Sequence, residues 1–427
     1  MSAIETIYQH FTKAYKVTTD SRKVEQDSIF FALKGENFDA NDFALQVAEA
    51  GVASLVVADR KDLPKHERIL IVDDTLKTLQ DLAAYHRQQS KVTVLSITGT
   101  NGKTTTKELV SAVLAKKYRI IHTQGNLNNH IGVPLTLLSI KPETEIAVVE
   151  MGANHPGEIN FLCNIANPDY GLITNIGKAH LEGFGNFEGV IKTKTELYRH
   201  IKANGKAVFV NQGNPLLWEQ SEGQERISYG RHCAAFCPVA PGACNPYLSV
   251  IWRKQLIQTH LVGSYNFENV AAAIGVGQYF EVEDEKIVEA LEAYTPTNSR
   301  SQVIESGKNR IIMDAYNANP TSMRAALINF ATICGEQHLL ILGDMRELGT
   351  ASEEEHRNIL GLMKELGFKD ALLVGQNFSA YNANPDWKTF DNVKDLCQYL
   401  ESSPVSEKTI LVKGSNSIQL GKVLPLL

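Results

Sequence analysis

With 427 residues the chain is too long for a single hydrophobic core, and about two to four domains are expected. Hydrophobic residues at 43%, charged residues at 21% and a net charge of -6 without basic runs give no electrostatic footprint for nucleic acid. The opening MSAIETIYQHFTK lacks an apolar signal core, no apolar stretch reads as long enough to span a bilayer, and six scattered cysteines make no disulfide scaffold. A cytoplasmic monomer acting on small-molecule substrates is the expectation.

An apolar run over 29–33, a helical pattern over 42–50, a second run over 54–58 and a helix over 76–88 predict a small α/β unit. Its loops carry DSRKV at 20–24 and LKGENFDAND at 33–42. Ser21, Arg22 and Lys34 in them could hold a phosphorylated or sugar ligand, or could simply form a solvated surface; the residues leave both open. The polar stretch 88–91 marks a boundary.

The strongest signal follows at VLSITGTNGKTTTKELVSAVL, 94–114, which reads as buried strand, glycine loop and amphipathic helix. Gly99 and Gly102 let the backbone of Thr100, Asn101 and Thr105 fold around an anion beside a positive helix N-terminus. Lys103 supplies a mobile charge for the β- and γ-phosphates of ATP, and the Thr104 hydroxyl is placed for Mg2+. The strict P-loop spacing fails, because its first glycine would fall at Ile97.

Next, Asn126, Asn128 and Asn129 crowd one segment. Such residues usually line turns, and they can equally hydrogen-bond a polar substrate. The run 146–149 predicts a buried parallel strand ending in Glu150, where a carboxylate would complete the Mg2+ shell begun by Thr104. A strand over 171–176 delivers His180 to the same edge as a candidate ligand for a second metal ion. A helix over 187–200 carries Lys192 and Lys194, which side-chain chemistry alone reads as solvated charges. After strands over 207–210 and 257–262, Asn266 and Asn269 lie one turn apart; they could cap a helix or read the edge of an adenine. His232, Cys233, Cys237 and Cys244 lack paired C-x-x-C spacing and read as scattered thiols rather than a zinc site. YTPTNS at 294–299 is a linker, with Arg300 just beyond. Strands over 311–313, 339–342, 371–374 and 410–412 then predict an open parallel sheet with one ligand edge.

SITGTNGKTTT (96–106), NLNNHIGVPLTLL (126–138), VVEMGANHPGEI (148–159) and TNIGKAHLEGFGNFEGVIKTKTEL (174–197) resemble the ATP-dependent Mur ligases of peptidoglycan synthesis. YNANPTSM (316–323) and LGDMRELG (342–349) resemble the branch that adds D-alanyl-D-alanine to UDP-N-acetylmuramoyl-tripeptide. The resemblance covers nearly the whole chain. It implies an α/β protein of three domains: a UDP-sugar-binding unit over 1–90, a central P-loop parallel sheet over 91–297, and a Rossmann-like unit over 298–427 that contributes the amine site.

The implied reaction is amide formation through an acyl phosphate, using ATP and two Mg2+ ions. Lys103, Glu150, His180 and Lys194 would carry catalysis, with Lys194 carbamoylated, and Thr104, Glu150, His180 and Lys194 would serve the metals. Asn266 and Asn269 match positions near the adenine, and Arg300 one that reaches the nucleotide phosphates across the domain gap. Ser21, Arg22, Lys34, Asn126 and Asn129 would meet the muramoyl substrate. Asp314 would meet the ammonium of the dipeptide, with Asn317 and Asn319 for its peptide bond. Three departures stand out. Ser96 replaces a usual glycine, FDAND replaces an FDGHD-like run, and Asn416 follows KGS where an arginine, a planar cation able to grip a carboxylate, is common. A folylpolyglutamate-type ligase shares the loop and the lysine, but the DSRKV-bearing first unit and YNANP argue against it. A kinase or nucleotide switch would need only the central unit.

Overall fold

A computed structural model describes residues 2–297 and 300–427; Asn298 and Ser299 of the expected linker lie outside the described residues. The first sheet is parallel and consists of β1 (Val17–Thr18), β2 (Ile29–Phe31), β3 (Leu55–Ala58) and β4 (Ile69–Ile71), in that order. Strand periodicity divides its residues between two faces. Phe30 and Val56 pack toward the short helix Ala44–Glu49, whereas Ile29, Phe31 and Val57 share a core with the helices Ala3–Ala14 and Thr75–Gln89. The outer strands β1 and β4 and the first helix go beyond the predicted elements.

The second sheet has seven parallel strands: β5 (Thr93–Thr98), β6 (Ile120–His122), β7 (Ile146–Glu150), β8 (Tyr170–Ile173), β9 (Ala207–Asn211), β10 (Arg226–Gly230) and β11 (Cys237–Pro238). Their order is β11-β10-β9-β8-β5-β7-β6. The chain runs outward on opposite sides of β5, so the C-terminal end of β5 is the topological switch point, where open α/β sheets bind ligands. The strand expected over 171–176 stops at Ile173 because Thr174 and Asn175 leave the ladder to bond the glycine loop. The helix expected over 187–200 is divided at Thr195 into Phe187–Lys194 and Glu196–Asn204. Three antiparallel strands follow, β12 (Ala240–Cys244), β13 (Tyr247–Trp252) and β14 (Gln255–Val262). Leu248, Val250 and Ile257 bury against the helix Phe267–Tyr279.

The last sheet contains β15 (Gln302–Glu305), β16 (Arg310–Asp314), β17 (His338–Gly343), β18 (Ala371–Val374), β19 (Lys388–Phe390) and β20 (Thr409–Lys413), in the order β15-β16-β20-β17-β18-β19. It is parallel except at one edge, where β15 runs antiparallel to β16, and the expected all-parallel sheet is corrected there. The cause is local. Residues 306–309, with Gly307 at φ +80°, form a tight hairpin turn, and only antiparallel neighbours can be joined so briefly.

The helix Thr75–Gln89 ties the first two sheets together, since its Leu79, Leu82 and Ala83 lie in one core with Ala147, Leu162 and Ile173. Its buried Arg87 donates to the carbonyls of Ala166 and Asn167, both at 3.0 Å, and to Asp169 Oδ2 at 2.9 Å. Arg87→Met leaves those acceptors without donors and should lower the unfolding free energy by about 3 kcal/mol. The urea midpoint at unchanged m-value checks it.

Candidate active site

The loop after β5 is built by fixed anchors rather than by flexibility. Gly99 has φ +143°, and a Cβ there would stand 2.0 Å from Thr174 Oγ1. Gly102 has φ +77° and caps the helix Lys103–Leu114, where a Cβ would stand 2.5 Å from Asn269 Oδ1. The Thr100 N–H donates to Asn175 O at 2.9 Å and the Asn101 N–H to Asn175 Oδ1 at 3.0 Å; Thr174 Oγ1 in turn donates to Asn101 O at 2.6 Å. The first intrahelical bond is Thr106 N–H to Gly102 O at 2.8 Å, so the N–H groups from Gly102 to Thr105 are left for an anion. Lys103 Nζ donates back to Gly99 O at 2.9 Å and Thr100 O at 3.1 Å. Burial and the Arg300 charge lower its pKa, and Glu150 opposes them.

Glu150 ends β7 and is 1% exposed. Its Oε1 accepts from Thr104 Oγ1 at 3.2 Å and from Asn128 Nδ2 at 2.8 Å, while its buried Oε2 has no partner. A bare buried carboxylate oxygen beside a hydroxyl is the oxygen-donor set that Mg2+ takes when phosphates and water supply the remaining ligands. Among the described residues no group of three or more His, Cys, Asp and Glu side chains forms a metal cage by itself.

Lys194 overturns the solvated reading that its chemistry alone suggests, while Lys192 beside it is exposed. Lys194 is 2% exposed, its Nζ lies 3.3 Å from Ala153 O and 5.4 Å from the Phe184 ring centroid, and no described carboxylate forms an ion pair with it. Burial, reinforced by Lys103, pushes its pKa well down, against the weaker pull of Glu158 and Glu196.

The opposite wall belongs to the last sheet and the segment before it. A cleft of about 740 Å³ brings residues 100–105, Asn126, Asn129, Glu150, His180, Asn266 and Asn269 to face Arg300, Asp314 and Asn317. Lys194 lies behind this lining, next to Ala153. Asn266 stands at the N-cap of the helix Phe267–Tyr279 but makes no side-chain capping bond; Asn269 Nδ2 donates to Asn266 Oδ1 at 2.8 Å, and Asn266 Nδ2 to Val262 O at 2.8 Å. The Arg300 guanidinium stacks 3.7 Å from the Tyr316 ring centroid, and its buried Nε has no partner. Asp314 is ion-paired with the buried Lys413 and accepts from Ser301 N–H at 3.3 Å. Asn317 is exposed in the cleft, whereas Asn319 caps the helix Pro320–Ile333 and donates to Asn101 Oδ1 at 2.7 Å. Asn129 Oδ1 accepts from the N–H groups of Ile131 and Gly132, a turn-building role, and Asn126 is exposed at the rim.

Further contacts close the gap between the walls. His180 Nδ1 faces the Glu347 carboxylate, a contact that holds that carboxyl below its ordinary range, and Lys178 Nζ meets Glu355 Oε1 at 2.8 Å. Asn175, Glu347 and Lys413 escaped the sequence reading. Only Asn175 and Lys413 carried a signal, each standing at or just after the C-terminal end of a parallel strand.

Residues 97–277 match the Mur ligase middle domain and residues 299–416 the Mur ligase glutamate ligase domain. The chain is 36% identical to the UDP-N-acetylmuramoyl-tripeptide--D-alanyl-D-alanine ligase of Bacillus subtilis, over 97% of this chain and 93% of that protein. The chain belongs to the Mur ligase family. Its α/β architecture is that of the MurF structure from Acinetobacter baumannii, at TM-score 0.85 and 32% identity over 96% of this chain and 92% of that one. It is also similar to MurF from Thermotoga maritima in complex with ADP, at TM-score 0.83 and 25% identity over 100% of this chain and 98% of that one.

Of the residues expected to meet the muramoyl substrate, Asn126 and Asn129 line the cleft, whereas Ser21, Arg22 and Lys34 lie outside it. Ser21 and Arg22 follow β1 and Lys34 follows β2, so they share one edge of the first sheet. Arg22 is 86% exposed and binds both oxygens of Asp20 at 2.9 Å, which holds that carboxyl down at about 2. Lys34 lies 4.0 Å from Asp39. For the cleft itself, the backbone at Gly99 sets the shape of the loop after β5. Gly99→Ala forces Thr174 off Asn101 and should weaken ADP binding by at least about tenfold, read by calorimetry, with an unchanged far-UV spectrum.

Proposed function

We propose that this chain is an ATP-dependent ligase that joins D-alanyl-D-alanine to UDP-N-acetylmuramoyl-tripeptide in the cytoplasm. The observation that carries the reading is the composition of the two cleft walls: phosphate loop and Glu150 on one side, Arg300, Asp314 and Asn317 on the other. A kinase or nucleotide switch has no need of the second wall. In this reading residues 1–90 hold the UDP-sugar, 91–297 bind ATP, and 298–427 present the amine. Its likeness to the named ligases over nearly the whole chain supports that division.

The reaction balances in two steps. An oxygen of the tripeptide's terminal carboxylate attacks the γ-phosphorus, the bond to the β-phosphate oxygen breaks, and ADP leaves. The dipeptide amine then attacks the carbonyl carbon, loses a proton, and expels inorganic phosphate. The free N–H groups from Gly102 to Thr105 hold the phosphates, and Lys103 swings from its loop carbonyls to the transferring group, whose charge is spread by positioned cations. Arg300 approaches the same phosphates from the far wall. Thr104 and Glu150 would hold Mg2+, which when bound neutralises phosphate charge; His180 and Lys194 would serve a second ion. Lys194 suits carbamoylation. Burial favours the neutral form of its amine, the form that adds to CO2 with release of one proton, and the resulting anion would find Lys103 nearby.

Lys194→Ala should lower turnover by about a hundredfold or more while the fold persists, and a short carboxylic acid in the buffer should restore part of it. Wild-type turnover by the variant returns Lys194 to a packing role. The amine is checked by phosphate release with saturating UDP-muramoyl-tripeptide while D-alanyl-D-alanine, diaminopimelate, lysine and glutamate are titrated in turn. The dipeptide should give the highest kcat/KM, and preference for any single amino acid overturns the assignment.

A further inference from the structure

Two residues face each other across the gap between the walls from backbone conformations that side chains seldom adopt. His180 holds φ +51° where the chain enters the short helix Leu181–Phe184, and Glu347 holds φ +63° in the loop after β17. Neither is glycine, and such a conformation persists only where the surroundings impose it. The loop of Glu347 is imposed on from its own side of the gap. The fully buried Asp344 accepts from the N–H groups of Asn377 at 2.9 Å and Phe378 at 3.0 Å; Met345 N–H donates to His356 Nε2 at 3.1 Å and Arg346 N–H to Ser415 Oγ at 2.9 Å. From the other wall, Glu182 N–H reaches Glu347 O at 3.4 Å. The Glu347 carboxylate is thereby aimed at His180 Nδ1, a buried atom that has no other partner among the described residues. The part of the His180 side chain that stays exposed, 20%, lines the cleft.

We propose that Glu347 is a positioning residue for the second metal ion: as an acceptor it keeps the ring hydrogen of His180 on Nδ1 and leaves Nε2 bare toward the cleft. This role rests on the two-metal ligase reading above and deepens it. An imidazole ligates a metal through the nitrogen that carries no hydrogen, and a carboxylate on the other nitrogen fixes both the tautomer and the direction of the ring. Glu347 belongs to the wall of the last sheet and His180 to that of the central one. The orientation of this ligand is therefore complete only when the two walls meet, and the second ion is held well only by the closed enzyme.

The test takes Mn2+ as its probe, in the complex with a non-hydrolysable ATP analogue and UDP-muramoyl-tripeptide. Free Mn2+ is counted by electron paramagnetic resonance for wild type, Glu347→Ala and Glu347→Gln. Nitrogen NMR of isotope-labelled histidine, in the same complex without metal, reports which His180 nitrogen bears the hydrogen, and His180→Gln supplies the assignment. Wild type should bind two ions and carry the hydrogen on Nδ1. Glu347→Ala should weaken the weaker Mn2+ site by about tenfold or more, leave the tighter one in place and move the hydrogen toward Nε2. Glu347→Gln keeps an acceptor in position and should recover most of the affinity and the tautomer. The positioning role is overturned by a Glu347→Ala protein with both sites and the tautomer unchanged, by a second ion that binds more tightly once the carboxylate is gone, by equal weakening of both sites, or by a Gln variant that behaves as the Ala variant does. Wild type that takes up a single Mn2+ ion overturns the two-metal part of the ligase reading, and this role falls with it.

Discussion

Thr100 and Asn101 owe their positions to β8 rather than to the strand or helix they connect. Asn175 accepts both of their N–H groups, and the Thr174 hydroxyl closes on the Asn101 carbonyl. Everything else at the cleft is set from this clamp. It aims the helix dipole of Lys103–Leu114, fixes where Lys103 starts, and places Thr104 against Glu150 on the neighbouring strand. Glycine at 99 and 102 is the geometric condition, because any side chain at either position would occupy space already taken by Thr174 or Asn269.

The site gathers cations in a poorly solvated space. Burial disfavours the charged form of both Lys103 and Lys194, the Lys103 charge adds to the effect at Lys194, and Arg300 adds to the field at Lys103. Asp314 answers Lys413, and Glu150 keeps an oxygen free. Such an excess of positive charge is costly in a protein without ligands and becomes favourable when phosphates enter, so binding energy is stored in the folded chain before substrate arrives.

Much of this was legible in the chain. The β5 loop and its helix, Glu150 at the end of an apolar run, and four of the six strands of the last sheet follow from periodicity and from what a parallel sheet presents at its edge. The misses have physical causes. β1 is two residues long and β4 is only half-buried, so neither leaves a period to read. The antiparallel β15 depends on a four-residue turn rather than on its own composition. Burial of Lys194 depends on the packing of Phe184 and Ala153 around it, which no local pattern encodes. Asp314 reads as a free acid in sequence because its partner Lys413 stands 99 residues away.

The hydrogen bond between Asn319 and Asn101 joins the N-terminal cap of a helix in the last sheet to the phosphate loop itself. A contact made only when the two walls meet, and made by a loop whose shape governs nucleotide binding, couples two equilibria in one free energy. By reciprocity, whatever factor closure adds to nucleotide affinity, nucleotide must add to closure. The Asn319–Asn101 bond is one point where that shared free energy is held, since losing it would loosen the closed walls and the phosphate loop together.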